Sequence, residues 1–439
     1  MTITGAKEIV QQTPITTTDP TKSIDTVDAL ARHLHAAAQV ELSTIPLYLF
    51  SLYSLKIGGQ SQWSAPRGVL RTMTGIVIEE MLHLALARNL MVAIGHGKDI
   101  TFYNRDFIPT YPSYMLHRYN PQDGGKLLLE LKGLSKEHVS SFRRLEMPDD
   151  VDMSATRFEN HPDDPMQYTS LGAFYRAIEL GFEKLDGKIE WALADVRKQY
   201  KRAFWNEFGS GKPIRVYDLA TAKAALELIV DQGEGTVGDR ERIEVRPGID
   251  DYTHYEKFLR IEKGVEGIGT GDGTADQDFG LDDPLVTWPV VPNPKIADFA
   301  DQPGIHSLME LFNAAYCYTL CLLDETYRHS TEDVRTERVS GTYREEKFSR
   351  RYGLERNGIA AMQGVLYPIA QALVSTPITR GQYQDMNAAP SFEFYDFNAR
   401  PDVPKQVQLA ELCDRAIQHF PELGGPDGVR RQISLLTEV

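Results

Sequence analysis

Two segments of the chain combine the spacing of a helix with a glutamate in the middle of an otherwise apolar face. Apolar residues that recur every three or four positions lie on one side of a helix. The face of residues 26–56 contains Leu30, Leu34, Ala37, Glu41, Ile45, Tyr48 and Leu52, and the face of residues 66–94 contains Leu70, Met73, Val77, Glu80, Leu84, Ala87, Met91 and Ile94. We therefore predict two long helices, each of which buries a carboxylate.

A buried carboxylate needs a proton, a charged partner or a metal ion, because an isolated charge is costly to bury. The segments that flank Glu41, AAAQV and LSTIPLYLF, contain no basic residue. Glu80 is followed three residues later by His83, which places a carboxylate and an imidazole one turn apart on the same face. Mixed oxygen and nitrogen ligands suit iron, manganese or zinc. The pattern thus indicates that Glu41, Glu80 and His83 bind a metal, with a hydrogen-bonded Glu–His pair as the structural alternative.

The remaining sequence predicts a mainly α chain with long excursions between its helices. Further helices are predicted over residues 170–200, 217–232, 305–329 and 354–374, and one more begins near residue 251. Residues 96–166 and 264–303 are rich in Pro, Gly and Asp, which is typical of loops. The first of these excursions contains KLLLELKGL (126–134), the one plausible strand.

A second set of ligands is less clearly marked. The third predicted helix offers Glu179, which lies between Tyr175 and Phe182 on the apolar side of that helix. A solvated helix edge is the alternative interpretation. The fourth offers Glu227, and Glu234 follows its end, so the choice between these two stays open. His254 shares a helix face with Phe258 and Ile261, which indicates that it points inward, as a ligand or as a satisfied core residue. Glu79 is rotated by about 100° from Glu80, so we expect it outside the ligand set, either as a residue that contacts the ligands from behind or as a surface residue.

Composition excludes several classes of function. The formal net charge of −15 disfavours binding to nucleic acid or to an anionic membrane surface, since both reward clustered Lys and Arg. Three cysteines cannot form a disulfide framework and suit a reducing, cytoplasmic environment. No uncharged apolar stretch reaches the ~18 residues of a membrane span. The sequence leaves the oligomeric state open, with a homodimer among the assemblies that it allows.

Several long motifs resemble the ferritin-like domain of iminophenylpyruvate dimer synthase-type proteins, which also occurs in the violacein and rebeccamycin pathway enzymes that couple two indolepyruvate imines. The motifs are ELSTIPLYLFSLYSL, EEMLHLALARNLMVAIG, FYRAIELGFEKL, LIVDQGEGT, THYEKFLRI, WPVVPNPK, FNAAYCYTLCLLDETY and APSFEFYDF. They extend over residues 26–400. The pathway enzymes are much longer, so this chain resembles only their ferritin-like part.

The resemblance implies a ferritin-like helical bundle that holds one or two ions of non-haem iron, with manganese or zinc as substitutes. It supports Glu41, Glu80 and His83 as ligands and adds Glu179, Glu227, Glu234 and His254 as candidates, because they lie within matching motifs. Tyr48, Tyr175 and Tyr255 are candidate hydrogen-bond donors to these ligands, with core packing as the alternative role.

Three functions are compatible with such a site. The first is an oxidoreductase that uses iron and O2 or a peroxide on an amino-acid-derived small molecule, such as an α-imino or α-keto acid. The second is a redox-silent enzyme with one metal ion that condenses or hydrolyses imines. The third is a non-catalytic, metal-binding ferritin-like protein. As domains we predict a flexible segment over residues 1–25, the metal-binding domain over 26–400 with insertions at 96–166 and 264–303, and a helical tail over 401–439 packed on the bundle.

Overall fold

A computed structural model describes residues 7–8, 24–56, 68–115, 127–148, 171–201, 211–233, 252–263, 281–330, 334–338 and 345–439. The chain divides into two compact units. The first consists of Met1–Ile100, Pro109–Val196 and Trp205–Pro289, and the second of Thr101–Ile108, Arg197–Phe204 and Val290–Val439. Each unit is built mainly from helices, which confirms the predicted fold class.

Among the residues that the structure describes, six α-helices belong to the first unit. They are α1 (Val27–Tyr53), α2 (Val69–Ala93), α3 (Lys136–Leu145), α4 (Leu171–Leu185), α5 (Leu219–Gln232) and α6 (His254–Lys263). Helices α1, α2, α5 and α4 pack in a ring, each against the next, and form a four-helix core. Helix α3 packs against α6, and α6 also contacts α2, so this pair lies along one side of the core.

Helices α1 and α2 are long because apolar residues recur along them. In addition, local hydrogen bonds cap both ends of α1. The Thr26 hydroxyl accepts a hydrogen bond from Ala29 N at 3.1 Å, which caps the start of α1. Leu30 and Leu34 in α1 are fully buried, as are Met73 and Leu90 in α2. The two predicted helices over 26–56 and 66–94 are thus present, with the glutamates of both apolar faces inside the core.

Helix α3 corrects the prediction of an irregular excursion over residues 96–166. Its start is capped by Ser135, whose hydroxyl accepts from His138 N, and Arg143 and Arg144 lie in its last turn, where cations are favourable. Val139, Phe142 and Leu145 bury its apolar face. The predicted strand over 126–134 is shorter than expected, because only Leu127–Leu129 pair with another strand.

The third predicted helix is also shorter than expected. Helix α4 ends at Leu185, and the following Asp186–Lys188 form a 3₁₀ turn instead of continuing to residue 200. Gly187 lies in this turn, and glycine costs about 1 kcal/mol relative to alanine in a helix. The helical period of the residues beyond it is therefore not enough to extend α4.

The β structure is small. Strand β2 (Ser113–Met115) pairs in parallel with β1 (Lys7–Glu8) and antiparallel with β3 (Leu127–Leu129), which gives a three-stranded sheet in the first unit. In the second unit, β4 (Val334–Arg338) and β5 (Glu345–Ser349) form an antiparallel pair.

The second unit is organised around one apolar helix. Its helices are α7 (Pro303–Arg328), α8 (Arg350–Ala361), α9 (Tyr367–Val374), α10 (Lys405–Ile417) and α11 (Val429–Ile433), with a π-helical turn (Met362–Leu366) between α8 and α9. Asn313 in α7 holds the extended segment beside it: its Nδ2 donates to Ser391 Oγ at 2.9 Å, and its Oδ1 accepts from Glu393 N at 3.1 Å.

The predicted C-terminal tail contains helices α10 and α11 of this unit, and α10 packs directly on α7. The boundaries proposed for the metal-binding domain and its tail remain a prediction about domain organisation. Residues 1–6, 9–23 and 264–280 of the predicted N-terminal segment and second insertion lie outside the described residues. Among the described helices, none combines the length and the apolar character needed to cross a membrane.

Burial of His138 in α3 predicts a pH-dependent stability. Burial, with a contribution from the charge of Lys132, lowers the pKa of His138 to about 3, against about 6.5 in an unfolded chain. Between these values the unfolded chain binds a proton that the folded chain does not, so stability falls as the pH drops from 6.5 towards 3. The free energy of unfolding should decrease between pH 7 and pH 5. We expect this decrease to be about 1–2 kcal/mol smaller in His138→Leu than in the wild type.

The measurement is urea unfolding of the metal-free chain at both pH values. His419 is exposed, so His419→Leu serves as the control and should keep the wild-type difference between pH 7 and 5. An identical pH dependence in His138→Leu and the wild type would contradict the prediction.

Candidate metal centre

Five side chains from four helical elements converge in the core of the first unit. Glu41 comes from α1, Glu80 and His83 come from α2, Glu146 ends α3 and His254 begins α6. Each of them is at most 3% exposed. The cluster therefore joins the four-helix core to the α3–α6 pair.

His83 is oriented by a contact on each side of its ring. Its Nε2 lies 3.1 Å from Gln232 Oε1 at the end of α5, an acceptor that fixes the proton on this nitrogen. The opposite nitrogen, Nδ1, lies 3.5 Å from Glu41 Oε2 and 3.9 Å from Glu80 Oε1. The lone pair of Nδ1 is therefore directed towards two carboxylates.

His254 repeats this arrangement from the other side of the cluster. Its Nε2 lies 3.0 Å from Glu79 Oε2, which accepts the proton of that nitrogen. Its Nδ1 lies 2.7 Å from Glu80 Oε1 and 3.8 Å from Glu146 Oε1, yet it has no aligned hydrogen-bond partner. The two imidazole rings are 5.4 Å apart, so both Nδ1 atoms face the same group of carboxylates.

Hydroxyl groups hold the carboxylates in place. Tyr48 OH donates to Glu146 Oε1 at 2.5 Å, Tyr175 OH donates to Glu41 Oε1, and Thr44 Oγ1 donates to Glu80 Oε2. Burial, reinforced by the neighbouring carboxylates, raises the pKa of both tyrosines well above the ordinary value, so they remain protonated donors. The other oxygen atom of Glu41 and of Glu80 faces an imidazole, whereas Glu146 Oε1 both accepts from Tyr48 and faces His254.

Glu79 and Lys257 form an ion pair behind His254. Lys257 Nζ lies 2.6 Å from Glu79 Oε2, the same oxygen that accepts from His254. Burial alone would raise the pKa of Glu79, but the charge of Lys257 and the hydrogen bond from His254 hold it below the ordinary value. Glu79 is therefore an ionised anchor for the imidazole.

The other carboxylates of the cluster have the two imidazoles as their nearby groups that can carry positive charge, and contacts with Glu41 and Glu80 raise the pKa of His83 despite its burial. Burial raises the pKa of Glu80 to about 7, and the charges of Glu146 and Glu41 add to this effect. Burial lowers the pKa of His254, but its contacts with Glu146, Glu79 and Glu80 raise it well above the ordinary value. Without a cation, the cluster must therefore retain protons to offset its negative charge.

These residues fit a metal ion of the kind that ferritin-like bundles hold. One oxygen of Glu80 and one nitrogen each of His83 and His254 lie within 4.8 Å of one another. The lone pair of His254 Nδ1 faces a carboxylate oxygen at 2.7 Å, and two acceptors at that distance repel unless a proton or a cation lies between them. Two imidazoles and several carboxylates form a ligand set suited to iron, manganese or zinc.

A small cavity lies beside the cluster. It has a volume of about 20 Å³, enough for one water-sized molecule. Glu41, Glu80, His83 and Glu146 line one wall, and residues of α4 and α5 line the other. An ion held by the cluster would therefore have an open side.

The structure brings some of the predicted residues together and not others. Glu41, Glu80, His83 and His254 lie in the cluster, and Tyr48 and Tyr175 donate hydrogen bonds to it. Glu179 does not reach it, because its carboxylate pairs with Lys223 at 3.1 Å at the edge of α4 and α5. Glu227 is exposed on α5. Tyr255 is half-buried and contacts Arg143, whose guanidinium lies 6.0 Å from its ring.

Glu234 lies outside the described residues. The side expected from α4 and α5 is instead supplied by α3 and α6, because these helices place Glu146 and His254 against α2.

Sequence reasoning missed Glu146, and it left open whether Glu79 supports the ligands or lies on the surface. Glu146 lies directly after α3, four residues beyond Phe142. The helical spacing of Val139, Phe142 and Leu145, with Ser135 as the cap, is the sequence signal for this helix. Glu79 was expected outside the ligand set, and its side chain indeed points to His254 Nε2 instead of the carboxylates. No local pattern indicated that Lys257 on α6, which lies 178 residues further along the chain, would pair with it.

A family model described as Ferritin-like matches residues 34–263, more than half of the chain. The chain belongs to this family. The matched region begins in α1 and ends with α6, so it contains all five residues of the cluster.

Two curated relatives are similar at low identity. Dichlorochromopyrrolate synthase from Lentzea aerocolonigenes is 24% identical over 94% of this chain and 41% of its own length. The 2-imino-3-(indol-3-yl)propanoate dimerase from Chromobacterium violaceum is 23% identical over 54% of this chain and 23% of its own length. The chain thus spans less than half of each relative.

A solved structure, a ferritin-like protein from Caulobacter vibrioides, is 21% identical and covers 70% of this chain and 89% of its own, with a TM-score of 0.43. The family resemblance expected from the motifs is confirmed by the family model and the two relatives.

Loss of the anchor behind His254 should weaken metal binding without removing a ligand. Glu79→Gln keeps the size of the side chain but loses the charge that pairs with Lys257 and accepts from His254. Substitutions of residues that orient metal-bound histidines typically cost 10–100-fold in affinity. We expect a loss of about that size in the affinity for Fe²⁺ or Zn²⁺, measured by competition with a chelator.

Glu137 is exposed on α3 and provides the control. Glu137→Gln should bind metal as tightly as the wild type. Wild-type affinity in Glu79→Gln would show that the anchor of His254 needs no charge, because the amide oxygen of glutamine can still accept from Nε2.

Proposed function

We propose that the chain is a non-haem iron enzyme of the oxidoreductase class that acts on an amino-acid-derived small molecule. The observation that carries this proposal is the buried cluster of Glu41, Glu80, His83, Glu146 and His254, whose free acceptor atoms converge beside a cavity. A site that only stores or stabilises needs no open side, whereas an enzyme must let a reactant approach.

The residues of the cluster have distinct roles in this proposal. His83 and His254 would bind the metal through Nδ1, since Nε2 of each is engaged by Gln232 or Glu79. Glu80 would lie between the two imidazoles, with Glu41 and Glu146 on either side. Bound iron would supply redox chemistry with O2 or a peroxide. Tyr48 and Tyr175 keep the carboxylates oriented and can donate a proton towards them.

The substrate class is inferred from the relatives. One is named for making dichlorochromopyrrolate and the other for dimerising an indole-bearing imino acid. An α-imino or α-keto acid derived from an amino acid is therefore the class that we propose. Because this chain spans less than half of each relative, their complete reactions are not transferred to it.

A redox-silent enzyme with one metal ion is the second candidate. The observation that favours it is that one atom each from Glu80, His83 and His254 lie within 4.8 Å of one another, which suits a single ion such as Zn²⁺. That ion would act as a Lewis acid in imine condensation or hydrolysis. The ratio of metal to protein and the response to O2 distinguish the two candidates.

Removal of the central carboxylate should abolish metal binding. Glu80→Ala removes the side chain that lies between both imidazoles, whereas Glu227→Ala removes an exposed glutamate of α5. After anaerobic loading with Fe²⁺ and desalting, we expect iron in the wild type and in Glu227→Ala, and only background iron in Glu80→Ala. Metal content is measured by mass spectrometry.

Exposure of the iron-loaded wild type to O2 then separates the candidates. A change in the iron spectrum that the proposed substrate accelerates supports the oxidoreductase. One redox-inert ion per chain would favour the Lewis-acid enzyme, and full metal retention in Glu80→Ala would refute the site itself.

A further inference from the structure

The cavity beside the metal centre has two chemically different walls. The cluster forms the polar wall, and the opposite wall is formed by Leu171 and Gly172 at the start of α4 and by Ile229, Val230 and Gly233 at the end of α5. Its volume of about 20 Å³ accommodates a water-sized molecule but not an amino-acid side chain. The apolar wall therefore limits what can reach the open side of the centre.

Gly233, at the end of α5, lies close to Glu146. A Cβ atom at this position would lie 3.4 Å from Glu146 Oε2 and 3.2 Å from the carbonyl oxygen of Ile229. Its φ of −73° is accessible to any residue, whereas its ψ of −89° lies beyond the usual helical range. What the glycine provides is space next to the carboxylate of Glu146.

The charge of the residues that line the cavity restricts its ligands, as the volume of the cavity does. Among the described residues that line the cavity, none is a lysine or an arginine, and three are glutamates. Three ionised carboxylates exceed the charge of one divalent metal ion, so the carboxylate of an organic acid would add to a negative charge that is already in excess. A small neutral molecule has no such cost.

We propose that Gly233 sets the size of the molecule that contacts the metal, and that this molecule is a neutral species of two or three heavy atoms at most. The organic substrate then reacts without entering the cavity or touching the metal. This inference rests on the proposed metal centre and names the class of ligand that its open side accepts.

Nitric oxide, a neutral diatomic molecule, is a suitable probe for the iron-loaded protein under anaerobic conditions. Gly233→Ala places a methyl group against Glu146, so we expect iron content to stay at the wild-type level while the Kd for nitric oxide rises about tenfold or more. Binding is measured by electron paramagnetic resonance. Gly187→Ala is the matched control, because a Cβ atom there meets no atom within 4 Å, and it should bind nitric oxide like the wild type.

A second variant tests the size limit in the opposite direction. Val230 is half-buried in the apolar wall, so Val230→Ala widens the cavity with little effect on the core. We expect this variant to bind tert-butyl isocyanide, a bulky neutral ligand, about tenfold more tightly than the wild type. Equal binding by both proteins would overturn the size limit.

The outcomes separate this inference from the proposed function. Wild-type protein that retains no iron contradicts the proposed function and this inference together. Wild-type protein that retains iron, with unchanged nitric oxide affinity in Gly233→Ala, contradicts this inference alone. Loss of iron in Gly233→Ala also overturns it, because Gly233 would then maintain the ligands and not the opening.

Discussion

The burial of four carboxylates in one helical core is the constraint on which the first unit depends. Glu41, Glu79, Glu80 and Glu146 are all buried, and Lys257 forms an ion pair with Glu79. Buried charges destabilise a fold unless protons, partners or cations compensate them. The buried negative charges would be compensated jointly by the hydroxyl groups, the two imidazoles and the proposed metal ion.

The α3–α6 pair illustrates how this requirement shapes the architecture. Helix α3 is short and places Glu146 at its end, and α6 begins with His254, so both residues lie where the pair meets α2. A four-helix core alone would supply Glu41, Glu80 and His83 with only one imidazole. The added pair contributes the second imidazole and, through Lys257, the charge that holds Glu79 ionised.

The cavity is lined by two kinds of residue, those of the proposed metal centre and small or apolar residues that face them. Atoms that can bind a metal are held by hydroxyl groups and by anchored imidazoles, which reduces their freedom to move. The facing residues of α4 and α5 are small or apolar and leave a space of about one water molecule. In our proposal, such a site would admit small neutral reactants to the metal and exclude larger, charged molecules.

The sequence by itself determined the two long helices and the carboxylates and histidine that they bury, because a strict helical period with a polar residue in its apolar face has few alternatives. It also indicated that His254 points inward. Only the tertiary structure decided which partners complete the cluster. Glu179 and Glu227 have the right residue type in the right motifs, but the rotation of α4 and α5 leaves them near Lys223 and solvent. Glu146 entered the site through a helix hidden in a loop-like composition, because contacts between distant segments are set by packing and not by local pattern.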